Sequence, residues 1–398
     1  MNSREGVVDV TMQSVPLAVV RDLIRGATDV EDVDGGLSPV RLPAWTRRQQ
    51  ADRWIEFWSA HTVGVRLVMR TAASTLELDA DVTRMLPEGL EKPLFPASAV
   101  AEVDGAVVAR AGIEAGPVIV NHADRTWTEV AGPTSTLVFD LGEAAGERAV
   151  TVWLPHNGHA LIRGLRADAP VVPAEPDPRP RWLHHGSSIS HSLEAVDPRG
   201  PWAQQAAREL GLNLTNLAIA GNAQLDPFVA RTLASIPADV VSLKLGVNII
   251  NVDSMRKRTF VPALHGFLDL VREGHPDVPL LVMSPVACPA IEDVPGPTHK
   301  DPDGLWRGTP REVLPGDGTL TLQVVRELVR SVVESRRAAD PLLWYDDGLE
   351  LFGVGDAGLL WDGLHPSQEG YDLIARRFVQ RARGATPTGE AFARVLSS

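Results

Sequence analysis

Trp182-Leu183-His184-His185-Gly186-Ser187-Ser188-Ile189-Ser190 decides the fold: a short apolar run stops at a glycine and a set of serines. An apolar run of this length, bounded by turn residues, reads as a buried strand and the glycine-serine stretch as the loop leaving its carboxyl end. The unit recurs downstream. Residues 214–219, 240–245, 280–284 and 342–345 read as further buried strands, and 202–210, 228–235, 262–273 and 322–337 read as helices between them. In the last helix Val325, Leu328, Val329, Val332 and Val333 fall on one face at the 3.6-residue period. Strands alternating with helices predict a parallel sheet covered on both faces, a three-layer α/β domain.

Upstream, Pro170, Pro173, Pro176, Pro178 and Pro180 crowd into eleven residues. Their fixed φ and missing N–H groups exclude helix and central strand, so 170–180 is expected to be a stiff linker. Before it, 65–78, 135–140 and 149–154 read as strands, and Asp104-Gly105 between apolar runs is a hairpin signal. Helical period is weak except at 47–58, where Trp54 and Trp58 are four apart. The expected organisation is a tail at 1–20, an all-β sandwich at 21–169, the linker at 170–180 and the α/β domain at 181–398.

Composition bounds the function. The 398 residues are 44% hydrophobic and 22% charged, enough apolar content to fill two cores. The formal charge is −13 and the only lysines are Lys92, Lys244, Lys257 and Lys300. No basic face for a phosphate backbone follows from this, so nucleic acid is not an expected partner. One cysteine, Cys288, excludes an intrachain disulfide framework and a multi-cysteine zinc site. No metal or other cofactor is expected. Residues 1–20 have no uninterrupted apolar core and do not read as a signal peptide, and no run approaches the roughly 18 apolar residues of a membrane span. A cytoplasmic location and no membrane partner are the expectation.

Sites in open α/β sheets form at the carboxyl ends of strands. Four such ends carry chemistry here: Gly186-Ser187-Ser188, Gly221-Asn222, Gly246-Val247-Asn248 and Asp362-Gly363-Leu364-His365-Pro366. A serine hydroxyl needs a base to become a nucleophile, and a histidine three residues after an aspartate can have its Nδ1–H held across one turn. Each piece alone has a plainer reading: a Gly-Ser-Ser turn is most often only a turn, and Asp362 or Asn248 could make local backbone bonds.

Taken in order, the four pieces resemble the SGNH hydrolases, the GDSL-type esterase family, over about residues 182–382. The resemblance implies a three-layer α/β/α, flavodoxin-like domain in which Ser188 matches the nucleophile, His365 the base and Asp362 its partner. The Ser188 and Gly221 N–H groups and the Asn248 amide then match the oxyanion donors. Ser187 stands where the family has Asp in Gly-Asp-Ser, and Ile249 where it has Asp in Gly-x-Asn-Asp. Arg41-Leu42-Pro43-Ala44-Trp45, with 65–71 and 127–132, is similar to the jelly-roll-like sandwich that precedes a two-domain subgroup of these hydrolases. That subgroup includes a polyketide salicylyl acyltransferase. The expectation is a serine esterase acting on an acyl ester of a small molecule or glycoside, with transfer from a thioester to a sugar or polyketide hydroxyl as the alternative.

Other motifs have blander readings. Gly353-Val354-Gly355-Asp356-Ala357-Gly358 fits a dinucleotide fingerprint, but no long helix is expected to open there. His184 and His185 are adjacent on a strand and point to opposite faces, so one ion cannot easily take both. Trp45, Trp54, Trp58, Trp127 and Trp153, placed with the sandwich, could stack on sugars or simply be buried. Residues 287–318, rich in Pro and Gly, read as a lid or a mobile insertion.

Overall fold

The computed structural model describes residues 11–51, 53–122, 124, 126–312 and 316–397. Residues 1–10 of the expected tail and 313–315 of the expected insertion lie outside them. The chain forms two compact units: one built from Val30–Pro39, Val65–Pro176 and the described residues up to Arg25, the other from Gly26–Asp29, Val40–Gly64 and the chain from Asp177 onward.

In the second unit, strands β1 (Arg181–Gly186), β2 (Asn213–Asn216), β3 (Val240–Lys244), β4 (Leu280–Met283) and β5 (Leu343–Asp346) form, among the described residues, one sheet in the order β2-β1-β3-β4-β5. Every pairing is parallel. Helices α1 (Trp202–Glu209), α2 (Pro227–Ser235), α3 (Lys257–Gly274), α4 (Leu322–Arg336), α5 (Gln368–Ala382) and α6 (Pro387–Leu396) cover it. Strand alternation sorts the core into two. Leu183, Val241, Leu243 and Val282 pack with α2, α3 and α4, whereas Trp182, Val240, Leu281 and Met283 pack with α1, α5 and α6. This is the expected three-layer α/β/α arrangement with flavodoxin-like order, whose switch point lies between β1 and β3.

The first unit is β-rich. Its described residues form an eight-stranded and a six-stranded sheet. Along Thr75–Pro87, Leu76, Leu78, Ala80 and Val82 are buried in strict alternation with half-exposed neighbours, so one face of the sheet lies in a core. Asp104 and Gly105 take positive φ (50° and 85°) between Ala97–Val103 and Ala106–Ile113, the turn this dipeptide favours. The expected strand 65–78 is two strands. Asp168 Oδ1 accepts the Ser74 and Thr75 N–H groups at 2.9 and 3.2 Å, which turns the chain between Arg66–Thr71 and Thr75–Pro87.

Two boundaries differ from the spans read from sequence. Part of the proline-rich stretch, Val171–Pro173, is an edge strand paired with Arg66–Thr71, a place where proline's missing N–H costs no ladder bond. Residues 40–64, inside the expected sandwich span, group with the α/β unit, taking Trp45, Trp54 and Trp58 with them. The cause is local chemistry. Leu42 and Ile55 belong to the α/β core, and the buried Arg41 guanidinium donates to Ala218 O (2.5 Å), Asn216 O (3.3 Å), His61 O (2.5 Å) and Trp58 O (2.7 Å). No helix among the described residues is long and apolar enough to cross a membrane.

Candidate active site

β1 ends at Gly186, where a Cβ would come within 2.7 Å of Ser190 Oγ, so the next turn can fold tightly back on the strand. Ser187 then caps a one-turn helix, Ser188–His191, its Oγ accepting the Ile189 N–H at 3.3 Å. That hydroxyl caps the turn from the position where the family's Gly-Asp-Ser has its aspartate. Ser192, at φ 58°, closes the turn. Beneath it runs a fully buried chain: Trp182 Nε1–H donates to Ser242 Oγ (2.7 Å), Ser242 is joined to His184 Nδ1 (2.7 Å), and His184 Nε2 is joined to Ser190 Oγ (2.9 Å). Burial lowers the His184 imidazole to about 3, which keeps this histidine neutral.

The loop before α5 brings the other partners. Asp362 Oδ1 accepts the N–H groups of Leu364 (3.0 Å) and His365 (2.7 Å), which folds the loop around its own carboxylate. Asp362 Oδ2 accepts His365 Nδ1–H at 2.8 Å, and Ser188 Oγ–H donates to His365 Nε2 at 2.9 Å. Ser188 and His365 are 177 residues apart in the sequence, and with Asp362 they form one hydrogen-bonded line. Burial disfavours the Asp362 charge, but the hydrogen bond and charge of His365 and the two backbone donors outweigh it and hold the carboxyl below its ordinary value. Burial likewise disfavours a charged His365. The negative charge of Glu194, then the hydrogen bond and charge of Asp362, overcome it and raise the imidazole above its ordinary value.

Asn248 and Gly221 follow the neighbouring strands β3 and β2. Gly246 turns the chain at φ 117°, where a Cβ would come within 2.4 Å of Val325 Cγ1. Asn248 is fully buried; its Oδ1 accepts the Ala223 N–H at 3.0 Å, and its Nδ2 has no hydrogen-bond partner among the described residues. A buried amide with an unspent donor is rare and costly unless something else uses it. Gly221, at φ 71°, is exposed, and nothing lies within 4 Å of where its Cβ would be. Its loop is tied to Asn248 through Ala223 and through Gln224 Nε2, which donates to Asn248 O at 2.8 Å. Ile249, in place of the family's second aspartate, is a core residue.

Sequence reasoning missed two neighbours of His365. Glu194 is buried, accepts the Tyr371 hydroxyl at 2.6 Å and has Oε1 3.8 Å from His365 Nδ1. Its only signal was being the first charged residue after Arg181. Trp306 Nε1–H donates to Asp362 Oδ2 at 3.1 Å and Trp306 N–H to Asp362 O at 2.8 Å. It belongs to a hairpin, Thr298–Lys300 with Trp306–Gly308, inside the stretch expected to be a lid or mobile insertion. Lys300 Nζ lies 5.5 Å and 5.9 Å from the ring centres of Trp306 and Trp361.

The remaining motifs are structural. The stretch 353–358 forms a 3-10 turn, Val354–Leu359, in which Asp356 pairs with Arg377 of α5. His185 faces the layer opposite to His184, with Nδ1 joined to Leu217 O at 2.8 Å. Cys288 is buried, its Sγ–H donates to Gly363 O (3.3 Å), and burial pushes the thiol up to about 12, far from the thiolate a nucleophile needs. Among the described residues no group of three or more His, Cys, Asp or Glu is placed to hold a metal ion. A groove of about 730 Å³, lined by Pro180, Gly211, Asp239 and Pro279, opens at the amino ends of the strands, the end of the sheet away from Ser188.

Residues 185–373 match the model of the GDSL-like Lipase/Acylhydrolase family. No curated protein matches the chain. Among solved structures, the salicylyl-acyltransferase SsfX3 from a tetracycline biosynthetic pathway is similar over 92% of this chain and 95% of its own, with 27% identity and a TM-score of 0.74. A family two carbohydrate esterase from Cellvibrio japonicus (13% identity, TM-score 0.55, 97% of this chain and 98% of its own) shares the fold. So does the acetyl xylan esterase Est2A from Butyrivibrio proteoclasticus (14% identity, TM-score 0.52, 93% and 98%). With the strand order and the four loops as described, the span 185–373 is similar to the GDSL-like lipase/acylhydrolase family in sequence and has the fold of the solved acyltransferase and esterase structures.

Proposed function

We propose that this protein cleaves an acyl ester of a small molecule or glycoside by double displacement through an acyl-enzyme on Ser188. The observation that carries the reading is the unbroken line from Ser188 Oγ through His365 to Asp362 at the carboxyl end of the sheet. His365 Nε2 takes the Ser188 proton as Oγ attacks the ester carbonyl; Asp362 holds the tautomer and stabilises the imidazolium. The oxyanion accepts hydrogen bonds from the unspent Asn248 Nδ2 and from the Ser188 and Gly221 N–H groups. The imidazolium then returns its proton to the leaving alcohol, and water resolves the acyl-enzyme by the same steps in reverse.

The test is turnover of a short p-nitrophenyl ester with fluorophosphonate labelling. Wild type is expected to hydrolyse the ester and to be labelled at Ser188, and Ser188→Ala is expected to lose both. Equal turnover by the two proteins would sink the proposal.

A second reading, acyl transfer to a sugar or polyketide hydroxyl, is favoured by the end-to-end likeness to a salicylyl-acyltransferase. The same acyl-enzyme serves both reactions, and the acceptor decides between them. Product analysis with a thioester donor and an alcohol acceptor separates them: acylated acceptor supports transfer, and free acid at every acceptor concentration removes it.

A further inference from the structure

His365 has a second carboxylate beside it. Asp362 is in hydrogen-bond contact with Nδ1 at 2.8 Å, and Glu194 Oε1 stands 3.8 Å from the same nitrogen, too far for a hydrogen bond but well within reach of its charge. Glu194 is not a surface residue that wandered in. Its side chain is 6% exposed, and the chain around it is pinned. Ser192 reverses the backbone after the nucleophile's helix, the Val196 N–H is held by Gln368 Oε1 at 2.9 Å, and the fully buried Tyr371 of α5 donates its hydroxyl to Oε2. A buried carboxylate costs several kcal/mol of desolvation unless something nearby uses its charge. Tyr371 supplies one neutral donor. The imidazole supplies a positive form beside it, and its charge favours the Glu194 carboxylate.

We infer that Glu194 is a positioning residue, a second carboxylate that shares with Asp362 the positive charge forming on His365 when Ser188 is deprotonated. The inference rests on Ser188 and His365 being nucleophile and base. The charged groups acting on His365 are Glu194 from the loop that follows the Ser188–His191 turn, Asp362 from its own loop and Lys300 from the hairpin, and Tyr371 of α5 faces Glu194. Lys300 acts in the opposite sense, and the net effect raises the imidazole, with Glu194 contributing more than either effect of Asp362. Burial raises the Glu194 carboxyl, opposed by His365, so charging the imidazole is what favours a charged Glu194.

The sign of the consequence is fixed. A carboxylate that favours imidazolium delays loss of the histidine proton, so removing it populates the free base at lower pH. In Glu194→Gln the acid limb of kcat/KM is therefore expected to move to lower pH, while the plateau kcat falls about tenfold because the transition-state imidazolium loses a partner. Glu194→Asp keeps the charge but draws it back by one methylene, and its limb is expected to move the same way by less. Asp362→Asn is expected to keep measurable turnover that Asp362→Asn/Glu194→Gln loses.

Wild type and the four variants are assayed on the p-nitrophenyl ester across pH, with Tm recorded. A limb at the wild-type position in folded Glu194→Gln overturns the inference. If that variant does not fold, Glu194→Asp decides alone by the same criterion. Turnover by Ser188→Ala would instead indict the reading on which the inference rests, so the two failures are distinguishable.

Discussion

A primary amide whose oxygen is spent and whose nitrogen is not has a polarity, and in Asn248 the oxygen is spent on the Ala223 N–H. Under the proposed reaction, Nδ2 is the end that faces the forming oxyanion. Asn248→Ala is expected to lower kcat by about 10²–10³-fold with KM little changed, a loss of about 2.7–4 kcal/mol of transition-state stabilisation. It also strips the Ala223 N–H of its acceptor, a cost of about 1–3 kcal/mol to folding, so Tm is measured beside the kinetics. Unchanged kcat in a folded variant would remove Asn248 from the oxyanion site. Cys288 belongs to the same scale of argument. With its thiol buried and pushed up, it serves the loop of Asp362 and His365 as a packed donor to Gly363 O.

At the scale of elements, the hairpin Thr298–Lys300 with Trp306–Gly308 is a fixed brace, because Trp306 binds Asp362 through both its indole and its backbone. Trp306→Phe removes only the indole donor. It is expected to lower kcat about tenfold or more, one hydrogen bond to a charged acceptor being worth about 1.5–3 kcal/mol, with the hairpin's fold intact. A kcat equal to wild type would reduce the hairpin to a wall. Strand β3 carries the opposite case. Lys244 Nζ is buried without a hydrogen-bond partner, and burial, then the charge of Arg326, lowers its ammonium to about 7 from 10.5. Between these values the unfolded chain holds one proton that the folded chain does not, so this residue makes stability rise with pH from about 7 upward. Below that window its penalty is complete. Lys244→Met is expected to be the more stable protein at pH 6, by about 1 kcal/mol or more, with the gap to wild type closing towards pH 9. Denaturant unfolding at both pH values checks it, and a pH-independent gap would show the folded lysine protonated like the unfolded one, its ammonium not lowered by burial.

Across the whole molecule, the α/β unit is not a continuous piece of chain. It takes 40–64 from upstream, with Leu42 and Ile55 in its core and Arg41 closing four carbonyls, two of them on the segment that leads from β2 to Gly221. Trp58 and His61 of the same segment stand edge-on to His191 in the one-turn helix Ser188–His191, at ring separations of 6.2 and 5.1 Å. The fragment 177–398, although it holds every residue of the Ser188 line, is therefore expected to show no cooperative thermal transition. Arg41→Ala in the full chain is expected to cost about 3 kcal/mol or more, since buried carbonyls lose a charged donor. A fragment that unfolds cooperatively near the full chain's Tm would refute the dependence.

The sequence by itself determined the parallel sheet, its five strands and the loops that hold Ser188, Asn248, Asp362 and His365. Apolar runs and the 3.6-residue period record local burial, and glycines record turns, so both are written along the chain. The Asp104-Gly105 hairpin was legible for the same reason. Only the tertiary structure decided that residues 40–64 belong with the α/β unit, that residues 298–308 form a brace, and that Glu194 and Tyr371 stand beside His365. None of these has a period or a neighbour in sequence that announces it. A buried charge finds its partner across the fold, and that pairing exists only once the chain has closed.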